Sequence, residues 1–353
     1  MTPANRPARQ GEVQTVLGPI DPDKLGPTLM HEHLLCDIRH PSQRTQEALG
    51  PELALDNVWA INYGTVKRAA RNYLLDARDV ATDEVNRMLA AGGRSAVDLS
   101  SGGLSPDPLG LVEIARATGA HIVMGCGHYV DAYQDPANAR RAVEDFAEEM
   151  VESVQDGAWG TDVRAGIIGE IGCQAPWTAQ EQRVMLGAVL AQRQTGASIN
   201  VHPGRHPDQP QEVADFVRIK GGRMDRLIIS HIDRTVFDAE RLRRLADTGC
   251  VLEWDLFGQE SSYYPLADID MPNDAVRLRA IRDLIGRGHL SRILISHDIC
   301  YRSRLVRWGG HGYGHIFANV VPLMRRRGFS EAEVHAIIVG NPRRLLTLGS
   351  GPA

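Results

Sequence analysis

Five apolar, β-prone runs in this chain each end in side chains that bind metal ions, and that repetition limits the fold more than any other feature. The first is Thr28-Leu29-Met30-His31-Glu32-His33-Leu34-Leu35-Cys36-Asp37, in which a strand period of two would put His31 and His33 on one face, within reach of a single ion. The others are Ile167-Ile168-Gly169-Glu170, Ile199-Asn200-Val201-His202, Ile228-Ile229-Ser230-His231 and Ile293-Leu294-Ile295-Ser296-His297-Asp298. A lone histidine is more often a hydrogen-bonded core group than a ligand. Six buried ionisable groups without a cation would be costly. The set therefore predicts a metal centre: His31, His33 and Asp298 for one ion, His202 and His231 for a second, and Glu170 between them. Imidazole and carboxylate donors suit zinc first, with manganese, iron and cobalt open.

Between these runs the chain alternates regularly. Helical patterns over residues 82–91, 108–118, 136–155, 179–195, 210–220, 239–248 and 273–287 each precede a short apolar strand, and several stop at a glycine such as Gly119, Gly196 or Gly249, the residue suited to a helix C-terminus. With the His31 strand this makes eight strands buried on both faces, the pattern of parallel βα units. We expect an α/β fold, a single (β/α)8 TIM barrel, with chemistry at the C-terminal strand ends where every ligand candidate lies. A hairpin over residues 13–26 is expected to close the barrel floor. Residues 41–76 read as a mostly helical insertion after the first strand, and residues 301–314 as a long loop after the eighth. Residues 1–11 are expected to be disordered and residues 12–350 to form one domain.

Composition removes several function classes. A net charge of −5 provides no basic field for nucleic acid. No run approaches the length of a membrane span and the N-terminus has no signal-like apolar core, so no membrane partner and a cytoplasmic location are expected. The five cysteines, Cys36, Cys126, Cys173, Cys250 and Cys300, are odd in number without paired spacing and read as reduced. The expected partner is a small-molecule substrate, with a homodimer left open. Lys24, Lys67 and Lys220 are the only lysines.

These motifs resemble the amidohydrolase superfamily, and within it the phosphotriesterase family, with closest likeness to the phosphotriesterase-related proteins. The resemblance runs from Val13-Gln14-Thr15-Val16-Leu17-Gly18 through Gly169-Glu170-Ile171-Gly172, His202-Pro203-Gly204-Arg205, Ser230-His231-Ile232-Asp233-Arg234-Thr235 and Asp255-Leu256-Phe257-Gly258 to Gly309-Gly310-His311-Gly312-Tyr313. The founding enzymes bridge their metals with a carboxylated lysine on strand four. None of the three lysines lies there, so the resemblance gives that place to Glu170. Arg234 stands where those enzymes have an aspartate linked to proton shuttling.

The resemblance implies hydrolysis by a metal-activated water without a covalent intermediate. Asp298 would ligate and also move the proton as a general base and acid. His297, its neighbour, is expected to face away as a structural group. Tyr129 matches a tyrosine that lactonases present near the metals. Arg205, Arg234, Arg302 and Arg304 fall just past strand ends, and a guanidinium there would bind an anionic substrate bidentately, Arg234 being the first choice and Arg205 the second. The leading expectation is cleavage of the amide of a small anionic N-acyl compound of the N-acetyltaurine or N-acyl amino acid type. The competing ones are a lactonase or phosphotriesterase acting on a neutral ester, and a metal-dependent ligand-binding protein without turnover.

Overall fold

The computed structural model describes residues 9–45, 49–66 and 69–349. Val13–Thr15 (β1) and Gly18–Ile20 (β2) pair as the expected antiparallel hairpin. Most of the stretch expected to be disordered lies outside the described residues. Residues 9–11, however, form a turn tied to the C-terminal end of the chain, where Gly11 N donates to Leu348 O at 2.9 Å.

Thr28–Glu32 (β3) opens the barrel. After it, Cys36–Asp37 (β4) and Leu74–Leu75 (β5) pair antiparallel outside the barrel. The mostly helical insertion expected over residues 41–76 is corrected here. Among the described residues it holds single turns at Pro41–Arg44 and Val58–Asn62 and a 3-10 turn at Ala70–Tyr73. Pro51 and Gly50 interrupt its polar pattern, and side-chain ties shape it instead. Arg44 Nη2 donates to the Asp37 and Gly103 carbonyls, each at 2.6 Å.

The remaining strands are Ser95–Asp98 (β6), His121–Cys126 (β7), Ile167–Gly172 (β8), Ile199–His202 (β9), Leu227–Ile229 (β10), Val251–Trp254 (β11) and Ile293–Ile295 (β12). With β3 they form one parallel sheet in the order β3, β6, β7, β8, β9, β10, β11, β12. The seam between β12 and β3 is closed by His31 N donating to Ser296 Oγ at 3.0 Å and Asp298 N donating to His31 O at 3.1 Å. The result is the (β/α)8 barrel, with helices on its outside.

Alternation along the strands sorts the core into two layers. Met30, Val97, Leu99, Val123, Ile167, Ile228, Val251 and Leu294 fill the barrel interior, closed below by Val13 of the hairpin and by Leu345 and Leu346. Leu29, Ile122, Ile168, Val201, Ile229, Leu252 and Ile295 belong to the larger cluster packed with the helices. The interior layer is apolar and solid, so polar chemistry is confined to the strand ends above it.

The helices stop and start where local chemistry dictates. Ala179–Thr195 runs from a capping box, in which Thr178 Oγ1 accepts from Glu181 N and Glu181 Oε2 accepts from Thr178 N, each at 3.2 Å. It ends at Gly196, whose φ of +74° is the left-handed conformation that glycine adopts without penalty. The single helix expected over residues 136–155 is divided into a 3-10 segment, Pro136–Arg140, and a helix, Val143–Gln155, because residues 141 and 142 are extended.

Candidate metal centre

Glu170 enters the centre on β8 where that strand is irregular. The ladder to β9 slips between Ile168 and Ile171, and bulges of this kind re-aim side chains at barrel rims. Gly169 permits it, since its φ is +142° and a Cβ there would meet the Asn200 carbonyl oxygen at 2.6 Å. β3 is irregular in the same way. Its ladder to β6 slips between Leu29 and Glu32 and the strand ends at Glu32, so His31 and His33 meet through a bulge rather than by plain alternation. Their rings are 5.6 Å apart.

All six residues expected as ligands converge. Glu170 Oε1 lies 2.7 Å from His202 Nδ1, 2.9 Å from His231 Nε2 and 3.5 Å from His31 Nε2. Asp298 Oδ1 lies 3.2 Å from His33 Nε2 and 3.6 Å from His31 Nε2. His231 and Asp298 hold φ values of +54° and +49°, a region that costs energy in residues other than glycine and is tolerated where the surroundings fix it. Here the His231 amide donates to the Asp255 carboxylate at 3.0 Å, and the Asp298 amide is bonded across the seam.

The donor set fits a cation. His31 Nε2 is buried and has no hydrogen-bond partner, although it is aimed between two carboxylates. His31, His33 and Asp298 form one cluster with ligand-like spacing, and His31, Glu170 and His231 another. The electrostatics agree. Burial alone would lower His31, but Glu170 and Asp255 override it and push it well above the usual imidazole range. Burial, helped by the His231 and Arg234 charges, pushes His202 well below that range despite Glu170. Burial works against the Glu170 charge, yet His202 and His31 hold that carboxyl well below its ordinary value. Acids and imidazoles are thus offsetting one another in a largely buried site where a cation would satisfy both.

Three supporting residues went unassigned in the sequence. Asp255 sits just past β11 and touches His31 and His231 together. Glu253, two positions before it, accepts from Ser230 Oγ at 3.1 Å and from Asn200 Nδ2 at 2.9 Å. Ser100 Oγ is 3.1 Å from His33 Nδ1. Acidic residues two apart on an otherwise apolar buried strand were the signal for the first two. His297 lies outside the centre, with Nδ1 2.7 Å from Glu32 Oε1 and Nε2 accepting from Ile316 N at 3.1 Å.

Above the centre lies a cavity of about 700 Å³, lined among others by Tyr129, Arg205, Arg234 and Asp298. Tyr129 Oη is 3.4 Å from His202 Nε2. Arg234 is buried and committed. It donates to the Pro203 carbonyl at 3.1 Å and to Thr235 Oγ1 at 3.1 Å, and approaches His202 Nε2 at 3.3 Å. Arg205 is half-buried and donates to Tyr264 Oη at 3.1 Å, with no carboxylate partner among the described residues. Arg302 is tied to Asp76 and the Leu74 carbonyl, each at 2.6 Å, and Arg304 is not among the residues lining the cavity. Among the described residues no helix is long and apolar enough to cross a membrane.

Comparison with known proteins places this geometry. The phosphotriesterase family pattern matches residues 11–346. N-acetyltaurine hydrolases are similar over nearly the full length: the Rattus norvegicus protein is 39% identical over 342 residues, covering 96% of this chain and 98% of the relative. Among solved structures, a resiniferatoxin-binding protein from Rhodobacter sphaeroides superposes with a TM-score of 0.89 at 34% identity, covering 97% of each chain. The phosphotriesterase homology protein from Escherichia coli, with phosphate in its active site, gives 0.74 at 27% identity over 92% of this chain and 99% of that one. A barrel with imidazole and carboxylate groups gathered at its strand ends, and a family match spanning it end to end, lead to one conclusion: this chain belongs to the phosphotriesterase family and is a metal-dependent hydrolase.

Proposed function

We propose that the protein hydrolyses the amide of a small anionic N-acyl compound, of the N-acetyltaurine or N-acyl amino acid type, at a centre of two divalent ions bridged by Glu170. One observation carries the substrate class: a complete imidazole and carboxylate donor set shares its cavity with Arg205, a guanidinium without a carboxylate partner among the described residues. The relatives named N-acetyltaurine hydrolase support the same class. In this reading His31, His33 and Asp298 hold one ion, His202 and His231 the other, and zinc suits the donors best.

When bound, the ions supply Lewis acidity that polarises a carbonyl and lowers the pKa of water toward neutrality. The chain's own groups do the rest. Glu170 and Asp298 both line the cavity, and the Asp298 side chain is the more open of the two, 16% exposed against 2%. It takes a proton as the water oxygen bonds to the carbonyl carbon, then gives that proton to the nitrogen as the C–N bond breaks, so the amine leaves neutral. Burial first, and the Glu170 charge second, push the Tyr129 phenol well above its usual range, which keeps it a donor for the substrate carbonyl oxygen. Arg205 receives the carboxylate or sulfonate. Arg234 shapes the wall behind His202.

The test is a hydrolysis panel with metal-loaded protein: N-acetyltaurine and N-acetyl amino acids against neutral lactones and aryl phosphotriesters. The reading expects the anionic amides to lead in kcat/KM. Lactones or phosphotriesters leading would put the neutral-ester reading in its place, and tight binding with no turnover of any compound would favour a ligand-binding protein.

A further inference from the structure

The cavity is far larger than an acetyl compound requires. Pockets of roughly 300–1,000 Å³ hold drug-sized ligands, and the ~700 Å³ above this centre falls well within that range. Its walls also differ. Arg205, after β9, supplies the cationic side, donating to the hydroxyl of Tyr264, which follows β11. In the strand order, β9 lies across the barrel from β3, and β11 across from β7. The segments after β3 and β7 bring Ile38, Val130 and Tyr133 to the cavity.

Apart from the exposed His40 and Gln43, which the segment after β3 also brings to the cavity, that second wall is apolar. Val130 packs with Leu104 and Tyr129 in a small cluster of its own, joined by Ile38 and Tyr133. The Tyr133 hydroxyl is spent on the Ile38 carbonyl at 3.2 Å, and its ring meets Tyr129 edge to face at 5.3 Å. What Ile38, Val130 and Tyr133 offer a ligand is carbon.

We infer, resting on the amide hydrolase reading above, that the preferred substrates carry an acyl group larger than acetyl, medium-chain or arylacetyl, lying on the Ile38–Val130–Tyr133 wall while the anion engages Arg205. An acetyl group leaves that wall wet. Each further methylene buried on it contributes about a threefold to fourfold gain in transition-state binding until the wall is covered.

The experiment uses taurine amides of acetic, butanoic, hexanoic and phenylacetic acid. With metal-loaded protein, kcat/KM is expected to climb through the series by at least about tenfold. Calorimetric titration into metal-stripped protein, where cleavage does not compete, is expected to show the same order of affinity. Ile38→Trp, or Ala132→Trp at the exposed rim of the same wall, is expected to flatten the series. That slope is a ratio of rates within one protein, so partial loss of folded enzyme does not alter it. Cleavage of the acetyl compound with a flat or falling series overturns the larger-acyl inference and leaves the amide hydrolase reading intact. Failure of every taurine amide, with lactone or phosphotriester turnover present, overturns both.

Discussion

Asp255 holds His31 in place: its Oδ2 lies 3.0 Å from His31 Nδ1, while its other oxygen lies 2.8 Å from His231 Nδ1. One buried carboxylate thus orients two histidines that come from β3 and from the end of β10, the former assigned above to one ion and the latter to the other. Burial opposes its charge, but His231 and His31 hold the carboxyl well below its usual range. A carboxylate accepting from the far nitrogen of a ligand fixes that ring's tautomer and raises its basicity.

Asp255→Asn should therefore weaken metal binding by roughly 10- to 100-fold, the usual effect of losing such a partner. The amide has one acceptor oxygen for two imidazole N–H groups. Equilibrium dialysis against buffered zinc measures this directly, without reference to turnover. Wild-type affinity in a folded Asp255→Asn protein would remove Asp255 from the metal-positioning role.

Arg205 and Arg234 should separate cleanly on mutation. Arg205 is free to take an anion, so Arg205→Ala is expected to raise KM for N-acetyltaurine by ~10-fold or more and to spare neutral lactones, because only the charged substrate uses the guanidinium. Arg234 instead braces Pro203 and His202, so Arg234→Ala should lower kcat for charged and neutral substrates alike. Steady-state kinetics on both substrate types decides it. If Arg234→Ala alone raises KM for the anion, the two roles are exchanged.

The ranking of those two arginines shows where sequence reading stops. Position past a strand end was legible for both, but the carbonyl of Pro203 and the hydroxyl of Tyr264, which separate them, belong to other loops. The eight strands were legible because short apolar runs alternate with helical patterns, and five of those runs end in His, Glu or Asp. Residues 41–76 were not: their polar pattern resembles a helix, whereas contacts from Arg44 to Asp37 and Gly103, and the β4–β5 pairing, set their path. Asp255 was visible as an acid at a strand end, yet its function depends on His31, a partner distant in sequence. His31 and His33 were paired by strand alternation in the sequence; the structure pairs them through a bulge.

Two equivalents of metal per chain are expected in protein purified without chelator, and Glu170→Gln should retain about one or fewer, since it removes the oxygen charge nearest His31 Nε2, His202 Nδ1 and His231 Nε2. Stripping the metal should also leave buried acids with only histidine protons as counter-charges, so the melting temperature should fall on chelation and recover on adding zinc. Elemental analysis and thermal melts read these out. A single tightly held ion, indifferent to Glu170→Gln, would contradict a bridged pair.

Asp298→Asn is expected to keep the fold and lose hydrolysis by about 10²-fold or more, the scale of a missing general acid/base. The fold should survive because the backbone amide of residue 298, bonded to the His31 carbonyl at 3.1 Å, is untouched by the substitution. The side chain contributes differently. Its Oδ1 faces His33 and His31, and its side chain is more exposed to the cavity than that of Glu170. An amide in that place retains one ligand oxygen but cannot take a proton. Metal content must be measured beside turnover, because a loss of charge also weakens the ligand set. With metal restored by excess zinc, kcat should stay low. Near-wild-type turnover in the fully metallated variant would assign the proton to another group.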